Sequence, residues 1–168
     1  TNDTTPDFMI TSSEAGTITY GGSCSSSTTS AIAGTITVTL IALSEGTYAD
    51  CVFRVTDSAG NGSAFFTMRP FIIDTTAPTV SSISPTDDQS EVSISDNISV
   101  TFSEAMDTTS VTTNTSNSSC SGSVQLSSDD FSSCVQMTSS PSSSNSDNTF
   151  TVDPSDNLSR TTTYKIRV

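Results

Sequence analysis

The sequence predicts an all-β chain built as two tandem β-sandwiches, and three observations carry that prediction. Ser and Thr supply 36 and 30 of the 168 residues, and Thr is a strand former. The apolar residues fall in short alternating runs, such as Ile36, Val38 and Leu40 with Thr35, Thr37 and Thr39 between them, the period of a half-buried strand. One punctuation mark also occurs twice, Asp3-Thr4-Thr5-Pro6 near the start and Asp74-Thr75-Thr76-Ala77-Pro78 near the middle. Hydrophobic content is low at 32%, but so is the charged fraction at 14%, a balance that favours a thin core over disorder. The length suits one large or two small domains, and the repeated mark decides for two.

Each mark precedes a short apolar run, Phe8-Met9-Ile10 in one case and Val80 with Ile83 in the other. Proline has no N–H for a ladder and holds the residue before it extended. Both marks therefore suit the entry to a first strand, as equivalent linkers of a tandem array. The division falls at residues 1–74 and 75–168. In the first part strands are predicted at Asp7–Thr11, Gly16–Tyr20, Thr35–Leu40, Tyr48–Thr56 and Ala64–Ile73. Ser58-Ala59-Gly60-Asn61-Gly62 joins the last two as a hairpin turn, its Gly and Asn residues tolerating positive φ. Gly21, Gly22 and the hydroxyl run Ser25–Ser30 predict an exposed connection.

In the second part strands are predicted at Val80–Ile83, Asn97–Phe102, Ser123–Leu126, Cys134–Thr138, Thr149–Val152 and Thr162–Val168. Phe102-Ser103-Glu104-Ala105-Met106-Asp107 leaves a strand for a short turn, and Ser139–Asn148 reads as a mobile Ser/Asn loop. Thr162, Tyr164, Ile166 and Val168 lie on one face of the last strand. The sequence stops inside it, so by analogy with the first part a turn and a final strand are missing from this chain. That leaves an open edge where another strand can pair.

Cys24, Cys51, Cys120 and Cys134 form no CxxC pair, which argues against zinc or thioredoxin-type chemistry. Of the three connectivities that four cysteines allow, the two-domain division favours Cys24–Cys51 and Cys120–Cys134. Each bridge would add about 3 kcal/mol to a thin core and implies an oxidising compartment.

Glu14-Ala15-Gly16-Thr17-Ile18-Thr19-Tyr20, Gly46-Thr47-Tyr48, Val55–Asn61 and Ile73–Pro78 together resemble bacterial immunoglobulin-like repeats of large surface and secreted proteins. Ser84-Pro85, Val100–Asp107 and Thr161–Ile166 resemble a second type of bacterial Ig-like repeat. The resemblance implies two tandem Ig-like β-sandwiches, the second without its final strand, serving as spacer, stalk or adhesive modules outside the cell. Independently of it, Gly46-Thr47-Tyr48 and Thr162-Thr163-Tyr164 each precede a strand and fit a tyrosine corner, in which a phenol ties the strand entrance to upstream backbone.

Several functions are excluded by composition. Without His there is no Ser-His-Asp or Cys-His catalysis and no His-ligated metal. A net charge of −13 repels nucleic acid and anionic membrane, and no apolar run is long enough to span a bilayer. Thr1-Asn2-Asp3-Thr4 is not a signal peptide, so an export signal is expected to have been removed or to lie elsewhere. The chemistry-bearing candidates are oxygens. Asp3, Asp57, Asn61, Asp74, Glu104 and Asp107 are placed by an Ig-like topology toward domain junctions, where converging hard oxygens suit Ca²⁺. No DxDxDG loop is present, and turn capping is the simpler role for the same side chains. Asp87-Asp88 with Glu91, and Asp129-Asp130, lack the apolar pocket that acid–base catalysis needs, so no catalytic residue is assigned. Sequons at Asn2, Asn61, Asn97, Asn114, Asn117 and Asn157 arise readily in so Ser/Thr-rich a chain. The expected function is a non-enzymatic extracellular spacer whose partners are neighbouring Ig-like repeats or copies of itself. The alternatives are a filament subunit assembling by strand addition, or an adhesin module for glycan or protein.

Overall fold

The computed structural model describes residues 1–168, and every regular element in it is a β-strand. The chain divides into two compact units, Thr1–Thr76 and Ala77–Val168.

The first unit contains β1 (Asp7–Ser12), β2 (Gly16–Gly21), β3 (Ser30–Ala31), β4 (Gly34–Thr39), β5 (Gly46–Tyr48), β6 (Val52–Thr56), β7 (Phe66–Thr67) and β8 (Phe71–Ile73). One sheet runs β3-β2-β6-β7, and β1-β4 and β5-β8 form two antiparallel pairs. Alternation in the sequence sets the faces. In β4, Ile36 and Val38 turn inward while Thr35, Thr37 and Thr39 are exposed. Val38 lies opposite Phe8 and Ile36 opposite Ile10 on β1. Bonds from Leu40 N to Pro6 O (3.2 Å) and from Leu43 N to Thr4 O (2.8 Å) extend that ladder. Ile10, Ile18, Ala31 and Val38 form one buried cluster, with Phe8, Tyr20, Phe53 and Val55 packed against it. Cys24, Leu40 and Cys51 form a second, flanked by Tyr48, Met68 and Phe71.

Two strands expected as continuous are broken. Tyr48–Thr56 divides at Ala49–Cys51, and Ala64–Ile73 divides at Met68–Pro70. Both breaks mark a change of sheet, since β5 and β8 pair with each other whereas β6 and β7 belong to the four-stranded sheet. Cys51 sits in the first break, held to Cys24. Pro70 sits in the second, where it offers no N–H to a ladder. The hydroxyl-rich connection before β4 contributes a short strand, β3, because Ala31 is drawn into the core at 4% exposure.

The second unit contains β9 (Val80–Ser84), β10 (Ile98–Phe102), β11 (Gln125–Ser127), β12 (Ser142–Ser144), β13 (Thr149–Val152) and β14 (Lys165–Arg167). Its sheets are β12-β13-β10-β9 and β11-β14. Ile98, Val100 and Phe102 of β10 and Phe150 and Val152 of β13 point into a core completed by Val111, Val124, Leu126 and Met137. Phe102 and Phe150 meet edge to face, centroids 6.0 Å apart, a favoured aromatic geometry. The opposite face of the four-stranded sheet is built of hydroxyls. Ser142, Thr151, Ser99 and Ser84 align in one row across it, and Ser144, Thr149, Thr101 and Ser82 in the next. Ser99 bonds Thr151 (3.0 Å) and Thr101 bonds Thr149 (3.1 Å). The Ser/Thr-rich composition thus serves the outward face of a sheet whose inward face is apolar.

Two expectations for this unit are corrected. Ser139–Asn148, expected as a mobile loop, contains β12, paired to β13. The strand expected at Cys134–Thr138 does not form, and β11 pairs with β14, Leu126 opposite Ile166. Cys134–Thr138 instead divides its amides among several partners. Val135 N reaches Leu126 O, Met137 N reaches Asn114 O, and Thr138 N reaches Asp153 O, at 2.8 to 2.9 Å.

Candidate functional site

The chemistry concentrated in this chain is that of ties which hold thin sandwiches together. Both disulfides form, Cys24–Cys51 with a Cα separation of 5.2 Å and Cys120–Cys134 with 4.9 Å, within the usual range for the bond. No free cysteine remains.

Tyr48 makes the tyrosine corner that its position predicts. Its hydroxyl donates to Ser44 O at 2.8 Å, four residues upstream, and its ring stacks on Phe71 at 5.4 Å. Tyr164 ties its strand with the opposite polarity, accepting at 3.0 Å from the amide of Ser159. Tyr20, a third tie, donates to Thr28 O at 2.5 Å, and burial raises its pKa.

The six residues considered for calcium divide among separate tasks. Asp3 Oδ1 accepts from the amide and hydroxyl of Thr5 (2.9 and 3.2 Å). Asp57 closes the hairpin turn, Oδ1 accepting from the amides of Ala59 (2.9 Å) and Asn61 (2.7 Å), and Oδ2 from the Asn61 amide group (2.8 Å). Those bonds, the Asn61 side chain foremost, lower the pKa of Asp57. Asp74 Oδ1 accepts from Thr76 N (3.1 Å), and Asp107 Oδ1 from the amide and hydroxyl of Thr109 (2.8 and 2.7 Å). Glu104 differs, with one carboxylate oxygen buried and unpartnered. Nowhere are three acidic or cysteine side chains grouped so as to hold a metal ion. Asp57 and Asn61 meet, but in a turn that they cap.

On the strand-pairing face, Tyr164 and Ile166 pack against the core, Val168 is 47% exposed, and Thr162 donates to Arg160 O at 3.1 Å. The strand is shorter than Thr162–Val168, and one of its edges is taken by β11. Asp87, Asp88 and Glu91 are exposed. A small polar cleft holds Asp96, Asp153 and Asp156, all exposed as well, so no apolar enclosure surrounds any of these carboxylates.

Two further polar knots lie among the acidic residues, and the sequence hid the first of them. Ser127, 1% exposed, donates to Asp129 Oδ1 (2.8 Å) while its oxygen accepts from the amides of Asp129 (3.1 Å) and Phe131 (2.9 Å). Asp129 also accepts from the Ser133 hydroxyl (2.5 Å) and amide (2.9 Å). The Ser133 hydroxyl leads the bonds that bring its pKa down to about 2. The knot organises the turn before Cys134, and its signal was the spacing Ser127-x-Asp129-x-x-x-Ser133. In the second knot, Glu45 accepts from Thr75 N (3.3 Å), Thr75 Oγ1 (3.0 Å) and Thr76 Oγ1 (2.7 Å), which lowers its pKa. An Ig-like topology leads one to expect the linker carrying Asp74 to approach Glu45, and the linker's Thr75 and Thr76 are what the carboxylate meets. Of the sequons, Asn114 is buried at 3% exposure, its amide donating to Asn117 O at 2.5 Å, so it is part of the packing.

Residues 74–168 match the family model described as bacterial Ig-like domain. The match covers more than half of the chain, and the chain belongs to that family. No curated protein and no solved structure matches it. The family and the two disulfides are consistent with an extracellular structural module.

Proposed function

We propose that this chain is a non-enzymatic spacer within a bacterial surface or adhesive protein, in series with neighbouring Ig-like repeats. One observation carries the proposal: each unit is closed by its own disulfide and its own tyrosine tie, in a chain belonging to the bacterial Ig-like domain family. A spacer must keep its length under load and avoid sticking to its surroundings. Covalent closure of each sandwich serves the first need. A net charge of −13 and a sheet face of paired hydroxyls serve the second. A spacer is defined by its length and not by its surface. Replacing residues 1–168 in the parent protein with two unrelated sandwiches of equal length should therefore leave cell attachment intact, while deleting them should shorten its reach. Loss of attachment in the replacement would assign a binding role to this chain and defeat the spacer proposal.

A further inference from the structure

The edge strand β7 of the first unit breaks the pattern of a non-sticky surface. It has a neighbour on one side only, β6, and Phe65 and Phe66 beside its free edge are 54% and 61% exposed. Natural sheets blunt such an edge with short strands, charge, proline or a cover, and β7, two residues long and followed by Arg69-Pro70, keeps its aromatic side chains exposed all the same. Here Phe66 leans on Phe53, centroids 5.3 Å apart, and the Arg54 guanidinium lies 5.1 Å from the centre of the Phe65 ring.

Charge sharpens the contrast. The first unit has seven acidic residues and only two basic ones, Arg54 and Arg69. Both flank this edge, one on β6 and the other two residues past β7. Neither has a carboxylate within ion-pair distance, the chain's one ion pair being Lys165–Asp130, and Arg54 Nε has no hydrogen-bond partner. In an acid-rich unit, two arginines free of carboxylates beside exposed aromatics and an unpaired strand edge form a surface complementary to negative charge.

We propose that the β7 edge binds an extended acidic segment of a protein partner, which adds as a strand to the sheet. Backbone bonds to the free edge supply register, alternate apolar side chains meet Phe66 on the Phe53 face, and the carboxylates between them meet Arg54 beside Phe65 on the other face, with Arg69 close by in sequence. A second whole copy of the chain fits less well. It brings a further net charge of −13 and the repulsion that goes with it, whereas a single segment brings a few carboxylates to two guanidinium groups.

The test is titration of the isotope-labelled full chain with a peptide alternating Glu and Val, with its Gln/Val counterpart, and with an acidic polysaccharide. The expected result is amide shifts confined to Val52–Thr56 and Ala64–Arg69, with binding that weakens as salt is added. Affinity should fall about tenfold for the Gln peptide and for Arg54→Gln/Arg69→Gln, as two exposed charge pairs allow, and recover in Arg54→Lys/Arg69→Lys. Unchanged far-UV circular dichroism and melting temperature in each variant show that the fold persists. Equal binding of the two peptides, shifts elsewhere, or no binding overturns the proposal. So does stronger binding of the polysaccharide at the same amides, or self-association of the chain alone that Phe66→Thr abolishes.

Discussion

Removal of the Cys24–Cys51 bridge bears most directly on what holds the first unit together. The bridge spans a sequence separation of 27, for which loop-closure entropy gives about 3.5 kcal/mol, against about 3 kcal/mol for the separation of 14 at Cys120–Cys134. The two losses fall on unequal cores. Beyond its half-cystines, the fully buried apolar set of the first unit is Ile10, Ile18, Ala31, Val38, Leu40 and Ile73, without an aromatic. The second unit buries Phe102, Phe150 and Met137 besides its aliphatics. Alanine is the right replacement, because Cys24 and Cys51 are only 4% and 1% exposed and a serine hydroxyl there would lose its water without gaining a partner. The assay is urea unfolding of the full chain followed by NMR signals of Tyr20 and Tyr48 in one unit and Tyr164 in the other. With a slope of about 1–3 kcal/mol per molar urea, Cys24→Ala/Cys51→Ala should lower the first unit's midpoint by about 1–3 M. A drop under about 0.5 M, or a larger loss from Cys120→Ala/Cys134→Ala, would refute the reasoning.

Three further outcomes follow from particular contacts. Tyr48→Phe removes the 2.8 Å bond to Ser44 O and should destabilise the first unit by about 1 kcal/mol, leaving the Tyr164 signal's midpoint unchanged. Phe150 is 1% exposed and meets Phe102 edge to face, so Phe150→Ala should cost the second unit about 3–5 kcal/mol, with Phe150→Leu retaining a measurable transition if the alanine variant does not fold. Asp129 has a folded-state pKa of about 2 against an ordinary 3.8. Its contribution is therefore fully present above pH 3.8 and is lost as pH falls through about 2. Titration of its carboxyl by NMR should show this, and Ser133→Ala should move the midpoint upward by removing the leading hydrogen bond.

What could be read from the sequence was local or covalent. The alternation of Ile36 and Val38 with Thr residues placed β4 and its faces. Gly60 and Asn61 marked the hairpin turn that Asp57 closes. The positions of Tyr48 and Tyr164 announced their ties. What the sequence hid was non-local. Tyr48–Thr56 reads as one strand from its Tyr, Val and Phe residues, and only the weak strand formers Ala49 and Asp50 mark the place where the chain changes sheet. Ser142–Ser144 looks like linker because its side chains carry no apolar signal, and it becomes a strand only through the register that Thr149–Thr151 imposes. Leu126 has an apolar candidate partner nearby in Val135, yet its cross-strand neighbour is Ile166, forty residues on. The acidic residues were equally legible by kind and illegible by task, since a carboxylate that caps its own turn and one that binds a cation have the same composition.

The central claim is that each unit is a covalently closed sandwich that holds its length under load. Stretching the full chain between its ends in a single-molecule force experiment tests it directly. The claim predicts two discrete unfolding events in oxidised protein, and reductant should lengthen their extensions by about 90 Å and about 50 Å, the contour of the 27- and 14-residue separations that the bridges lock. Smooth extension at low force without discrete events, or increments that reductant does not change, would contradict it.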